Sequence, residues 1–187
     1  MLLELEDGSL LRLTEETAER LALREGMELT DALREALAAA PVREEAVRLV
    51  GSRALSRREL ERKLEKKGGA PEDIRDTADW LEDIGALDDR NYAGVVARHY
   101  AARGYGPGRV RQELQRRGIP REHWEEALRE LPPAEEAIAA YLEKKCRGGA
   151  PDERQRRRLA DGLLRRGFSW EDVRPALERL GGPLEDD

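Results

Sequence analysis

Few residues in this chain could do chemistry. Gly104, Gly106 and Gly108 with Pro107 form a cluster of the kind that can offer backbone N–H groups to a phosphate. The GxxxxGK[ST] spacing is missing, the cluster follows a helical run and not a strand, and Pro107 removes one donor. It reads as a tight turn between helices. His99 and His123 could act in acid–base work, but neither lies in an HExxH or triad-like pattern, so each reads as partly buried with a satisfied nitrogen. Cys146 stands beside Lys144, Lys145 and Arg147, cations that lower a thiol pKa. It also shares a helical face with Ile138 and Leu142 and reads as a small apolar residue. The pairs Glu82–Asp83 and Asp88–Asp89 could hold a metal or serve as acid and base. With no histidine near them and no loop spacing, they read as solvated surface and helix caps. No catalytic, cofactor-binding or metal-binding residue is expected, and neither is an enzyme.

What remains is positive charge gathered by segment. From Arg98 to Gly118, the cations Arg98, Arg103, Arg109, Arg111, Arg116 and Arg117 face Glu113 alone. A second run has Arg53, Arg57, Arg58, Arg62, Lys63, Lys66 and Lys67 against Glu59, Glu61 and Glu65. A third has Lys144, Lys145, Arg147, Arg154, Arg156, Arg157, Arg158, Arg165 and Arg166 against Asp152, Glu153 and Asp161. A repeated basic ridge suits tracking phosphates or docking on an acidic protein groove. For any single residue the alternative is a solvated face of helix-favouring arginine and glutamate.

The elements that must position these charges are helices in a repeat. Leu60, Leu64 and Gly68 share their spacing with Val110, Leu114 and Gly118 and with Leu159, Leu163 and Gly167. A period of about fifty residues is the range of stacked structural repeats. The match continues: Ile74, Thr77, Ala78 and Leu81 correspond to Trp124, Ala127, Leu128 and Leu131 and to Val173, Ala176, Leu177 and Leu180. Each set is an i, i+3, i+4, i+7 stripe, the face a helix buries. The glycines fit helix stops, where a left-handed residue is needed. The first copy is read as helices from Val42 to Arg53, from Ser56 with Glu59 as a capping box to Gly68, and from Pro71 to Ile84. The second runs Arg90 to Arg103, Gly108 to Arg117 and Pro120 to Leu131. After the break at Pro132–Pro133, the third runs Ala134 to Arg147, Asp152 to Arg166 and Trp170 to Leu180. The string GGAP at 68–71 and 148–151 follows different helices of its units and reads as shared turn chemistry.

Charged residues make up 40% of the 187 and aromatics only 4%, so the core must be aliphatic and thinly spread. An elongated array of small helical units satisfies that better than one globule. The net charge of −6 belongs to residues 1–40, which hold four Arg and ten Asp/Glu and leave 30 basic and 30 acidic residues elsewhere. In this acidic head, MLLELEDGSLLRL carries an Asp7–Gly8 hairpin signal. A two-residue turn would pair Leu5 with Leu10, and a longer loop Leu5 with Leu11 and Leu3 with Leu13. Thr14 caps a helix read to Glu25 and stopped by Gly26, and a short helix follows Thr30, ending before Pro41. The expected fold is mostly α: three tandem three-helix repeats behind a small β-hairpin and short helices. The segments are 1–40, the repeats 41–88, 89–132 and 133–181, and an acidic tail at 182–187. No apolar run of about eighteen residues could span a membrane, and the N-terminus lacks a secretory signal. A single cysteine permits neither an internal disulfide nor a CxxC zinc pair, so a reducing, cytoplasmic setting is expected.

LDDRNYA from Leu87, Arg98, Arg103, Gly104, and GPGRVRQELQRRGI from Gly106 to Ile119 together resemble the central motif of the RecX family of bacterial recombinase regulators. LSRRELERKLEKKG from Leu55 and RQRRRLADGLLRRGFSWEDV from Arg154 resemble its flanking modules, so the likeness covers about residues 42–180. Tyr92 stands where the family usually has Phe. The resemblance implies a non-enzymatic monomer that binds the RecA recombinase filament on single-stranded DNA and mainly inhibits ATP hydrolysis, strand exchange and filament growth. It implies no cofactor. Combined with the charge pattern, it points to a partner-binding surface of Arg98, Arg103, Arg109, Arg111, Arg116 and Arg117, extended by Arg62, Lys63, Arg157 and Arg158. Some of these arginines would also reach single-stranded DNA. Leu87, Tyr92, Val110, Leu114 and Trp124 are assigned to packing. Two other readings fit the same ridges: a helical-repeat protein that binds nucleic acid without a recombinase, and a passive helical adaptor for another acidic protein.

Overall fold

The computed structural model describes residues 1–5, 8–146 and 150–181. The chain divides into two compact units, Met1–Asp88 and Asp89–Asp187.

The first unit opens with an antiparallel hairpin of β1 (Leu2–Glu4) and β2 (Leu10–Arg12), in which Leu3 pairs with Leu11. Neither expected register is found. Leu5 N–H donates to Ser9 O and Gly8 N–H to Leu5 O, both at 2.9 Å, with Gly8 at φ +80°. Three residues therefore separate the paired ends, and a glycine with positive φ closes a loop of that length. This register puts Leu3, Leu5 and Leu11 against the head core while Leu2 and Leu10 stay exposed. Asp7 lies outside the described residues.

Thr14 caps α1 (Glu15–Arg20), its hydroxyl accepting from Thr17 N–H at 3.2 Å. The helix stops short of the expected Glu25 because Ala22 turns left-handed at φ +49°. Leu21 and Leu23 both pack on the head core, which a continuing helix would prevent by placing them on nearly opposite sides. A second correction concerns Pro41, which breaks nothing: α2 runs unbroken from Asp31 to Ser52 with Pro41 inside it. An interior proline costs about 3 kcal/mol through a lost hydrogen bond and a clash. Burial on both sides of it offsets that cost. Leu37 and Ala40 enter the head core, while Ala46 and Leu49 enter the next one.

That next core is built by α2, α3 (Arg57–Glu65) and α4 (Pro71–Asp83) around Leu60, Leu64, Ile74, Ala78, Leu81 and Leu87. Ser56, fully buried, starts α3 with the expected capping box: Glu59 N–H donates to its hydroxyl at 3.0 Å, and Ser56 N–H donates to the Glu59 carboxylate at 3.3 Å.

The second unit holds α5 (Asp89–Ala102), α6 (Pro107–Arg117) and α7 (Trp124–Arg129), the last entered through a 3-10 turn at Arg121–His123. Their core centres on Tyr92, Val96, Val110, Leu114 and Ile119. The unit continues with α8 (Ala134–Lys145), α9 (Glu153–Arg165) and α10 (Trp170–Gly181), which build a separate core around Ile138, Leu142, Leu163, Val173 and Leu177. Asp152 and Gln155 form a capping box on α9. Cys146, half-buried and in no disulfide, ends α8, its N–H donating to Leu142 O at 2.8 Å.

The glycines in register do what their spacing predicts. Gly68, Gly118 and Gly167 sit at φ +84°, +73° and +87°. Each donates to the carbonyl three residues back, and the following N–H reaches the carbonyl of Leu64, Leu114 or Leu163 at 3.1, 3.1 and 3.3 Å. Three copies of one Schellman stop thus end α3, α6 and α9 at equivalent leucines. The second GGAP string falls partly outside the described residues, at Gly148 and Gly149.

Candidate partner-binding surface

The amphipathic face of α6 decides which of its charges point outward. Val110, Glu113 and Leu114 are buried, so Arg109, Arg111, Gln112 and Arg116 lie on the exposed side. Arg109 donates to the neutral Gln112 at 3.1 Å. The Arg111 side chain has no hydrogen bond or ion pair among the described residues. These two carry charge on the open face of the helix and are the cations of α6 best placed to pair with something else.

Arg116 and Arg117 are instead engaged with a buried acid of the same helix. Glu113 is only 4% exposed, and both guanidinium groups close on it, Arg116 at 2.5 Å and Arg117 at 2.9 Å. Hydrogen bonding from Arg116 comes first and Arg117 adds to it; together they outweigh burial and hold the Glu113 carboxyl down at about 2. Arg117 also donates to the Tyr92 hydroxyl and lies over its ring, 5.4 Å from the centroid. The sequence shows Glu113 as a lone acid in a basic run; the structure makes it the anchor of two of those bases.

On α5, Arg98 pairs with Glu130 and Arg90 is bidentate to Glu126, both nitrogens at 2.7 Å, which ties α5 to the end of α7. Arg103 is exposed beside His99, with 3.4 Å between Nη1 and Nε2. His99 is exposed and not partly buried as expected, whereas His123 is partly buried near Glu122. In the third domain Arg157 and Arg158 are exposed on α9, Arg157 bonded to Glu153 at 3.0 Å. In the first unit Arg62 is exposed and donates to the Arg58 carbonyl at 3.2 Å, and Lys63 is half-buried. Arg98, Arg103, Arg109, Arg111, Arg116, Arg117, Arg157 and Arg158 thus share the second unit, and Arg62 and Lys63 lie in the first.

Sequence reading missed three arginines that work inside the fold. Arg57 grips Glu61, Asp79 and Glu82 at 3.0, 2.6 and 2.5 Å and so fastens α3 to α4. Glu82, exposed as expected, is also one of its ligands. Arg156 is 9% exposed, its guanidinium packed on Gly181. Arg166 lies over the rings of Tyr105 and Tyr141. The available signal was position: Arg57 opens α3 and faces acids of α4 one repeat stripe away, but only the packed helices show which acids come within reach.

Among the described residues no group of three or more His, Cys, Asp and Glu side chains is placed to hold a metal ion. No helix of the described residues is long and apolar enough to cross a membrane.

Residues 88–128 match the family model for the second three-helix domain of RecX, and residues 134–177 match that for the third. The chain is 37% identical over 137 residues to regulatory protein RecX of Halorhodospira halophila, covering 72% of this chain and 85% of the relative. It is 36% identical over 136 residues to the RecX of Chromohalobacter salexigens, covering 72% and 90%. A crystal structure of a regulatory protein RecX superposes with a TM-score of 0.71 over 94% of this chain and 92% of that one, at 22% identity. RecX from Lactobacillus salivarius gives 0.65 over 76% and 96%, at 19% identity. On identity above a third across most of the relatives' length, this chain belongs to the RecX family of regulatory proteins.

Proposed function

We propose that this chain is a non-enzymatic regulator that binds the RecA recombinase filament on single-stranded DNA and mainly inhibits its ATP hydrolysis, strand exchange and growth. The setting is the cytoplasm and the regulator acts as a monomer. The observation that carries the reading is the exposed pair Arg109 and Arg111 on α6, neither bonded to a carboxylate among the described residues. An exposed cation already committed to a neighbouring acid contributes little to a new contact, while an open one can pair with a partner's acid or phosphate on arrival. Arg103 and Arg158 extend the surface, with Arg157, beside Arg158, held by Glu153, and Arg62 and Lys63 supply the first repeat's share. Arg98 and Arg117 contribute by holding the helices that present the others, and Arg116 by pairing with Glu113 on α6. The segments 41–88, 89–132 and 133–181 act as linked contact modules, so modest affinities combine through effective concentration. Residues 1–40 and 182–187 flank them as acidic head and tail.

The test is the ATPase of RecA on single-stranded DNA with the chain added. The double variant Arg109→Glu/Arg111→Glu loses most of the inhibition at unchanged helicity. Inhibition equal to that of the parent at every concentration removes these residues from the surface. The same exposed arginines suit the rival reading, a nucleic-acid binder that needs no recombinase. That reading requires tight binding of the chain alone to single-stranded DNA, with a log–log salt slope of about −0.7 per phosphate engaged.

A further inference from the structure

Within the second unit, the second and third three-helix domains meet through backbone. The end of α9 leaves carbonyls without intrahelical donors, and the start of α6 leaves N–H groups without acceptors. These orphans satisfy each other: Gly106 N–H donates to Arg166 O at 2.8 Å and Gly108 N–H to Gly167 O at 2.9 Å. Pro107 between them has no N–H, so no donor is stranded. The partly negative end of one helix also faces the partly positive end of the other. The approach needs bare glycine. A Cβ on Gly106 would stand 2.8 Å from both Gly167 O and the Phe168 ring, and one on Gly108 would stand 2.9 Å from Gly167 O. Gly167 is left-handed, and a Cβ there would run into Arg109 N.

Arg166 closes the joint. Its Nη1 donates to the carbonyls of Arg103 and Gly104 at 3.1 and 3.2 Å. The guanidinium lies 5.3 Å from the centroid of Tyr105 in the second domain and 5.1 Å from that of Tyr141 in the third. One side chain therefore bonds the backbone of one domain while stacking against rings of both.

We propose that Arg166 is a positioning residue that, with Gly106, Pro107, Gly108 and Gly167, locks these two domains into one rigid body. The exposed arginines of α6 and α9 are then presented at one fixed separation. The inference goes beyond the recombinase reading, since it holds whatever partner those arginines meet. A rigid pair binds with less ordering cost than two loosely tethered modules, and it rejects partners whose acidic groups do not match its spacing.

The joint is read by distance, independently of any partner. Spin labels are placed through Gln115→Cys on α6 and Asp161→Cys on α9, both exposed, in the full chain carrying Cys146→Ser. Pulsed electron paramagnetic resonance then gives a single narrow distance distribution. Arg166→Ala loses that narrow peak while circular dichroism stays that of the parent. Gly108→Ala is the second variant: alanine is the better helix former, so helicity holds or rises, yet the distribution broadens. A broad distribution in the unsubstituted joint overturns the proposal. So does one that stays narrow in a folded Arg166→Ala; if that variant does not fold, Gly108→Ala is judged by the same criterion.

Discussion

Replacing Glu113 with glutamine keeps the shape of the side chain and removes its charge, leaving Arg116 and Arg117 closed on a neutral amide. The carboxyl is held at about 2 against an ordinary 4.5, with Arg116 the first cause. A group whose folded pKa is depressed contributes stability above its unfolded pKa and loses it as pH falls through the folded one. The shift corresponds to about 3 kcal/mol at neutral pH and roughly half that at pH 3, where the folded carboxylate is still mostly ionised and the unfolded one is not. Urea titrations of parent and Glu113→Gln between pH 7 and pH 3 measure the gap, with hydrogen exchange on α5 and α6 locating it, since a chain of two units need not unfold in one step. Urea is preferred to guanidinium because its lack of charge leaves the pair unscreened. The gap should be widest at neutral pH and close steadily on acidification. A gap that stays constant from pH 7 to pH 3 would refute the electrostatic account and leave only a packing role for Glu113.

Two further expectations concern the repeat itself. Leu114 is fully buried and supplies the carbonyl of its Schellman stop; Leu114→Ala should cost about 2–5 kcal/mol, read as earlier urea unfolding of the second unit with the first unit's hydrogen exchange unchanged. Ser56→Ala removes one half of a buried capping box and should cost about 1 kcal/mol, with faster exchange confined to the first turn of α3.

Periodicity made the helical framework legible without coordinates. The leucine, glycine and stripe positions are short-range facts: a residue four places on lies on the same helical face whatever packs against it, and a glycine at a helix stop is chosen by its own φ. Hence Leu64, Leu114 and Leu163 in the cores, the three left-handed glycines, the Ser56–Glu59 box and the basic exposed side of α6 could all be read in advance. Where local signals competed with burial, they misled. Pro41 is a helix breaker by propensity, but residues on both sides of it had cores to enter. Ala22 prefers a helix, but Leu21 and Leu23 needed the same side. The hairpin register turned on the length of one loop, which the Asp7–Gly8 dipeptide does not state.

The sequence by itself determined the helical repeat, where most of its helices stop and which face of each is apolar, because those properties depend on neighbours within one or two turns; it did not show that α2 runs on through Pro41. Only the tertiary structure decided which arginines remain open to a partner. Arg57, Arg111, Arg117 and Arg166 look alike in a list of cations, yet Arg57 is spent on three acids, Arg117 on Glu113 and Tyr92, and Arg166 on the joint at Gly106 and Gly108, while Arg111 faces outward. A long, flexible cation binds whatever acid, carbonyl or ring folding brings within about 3–6 Å, and that distance is set between segments far apart in the chain.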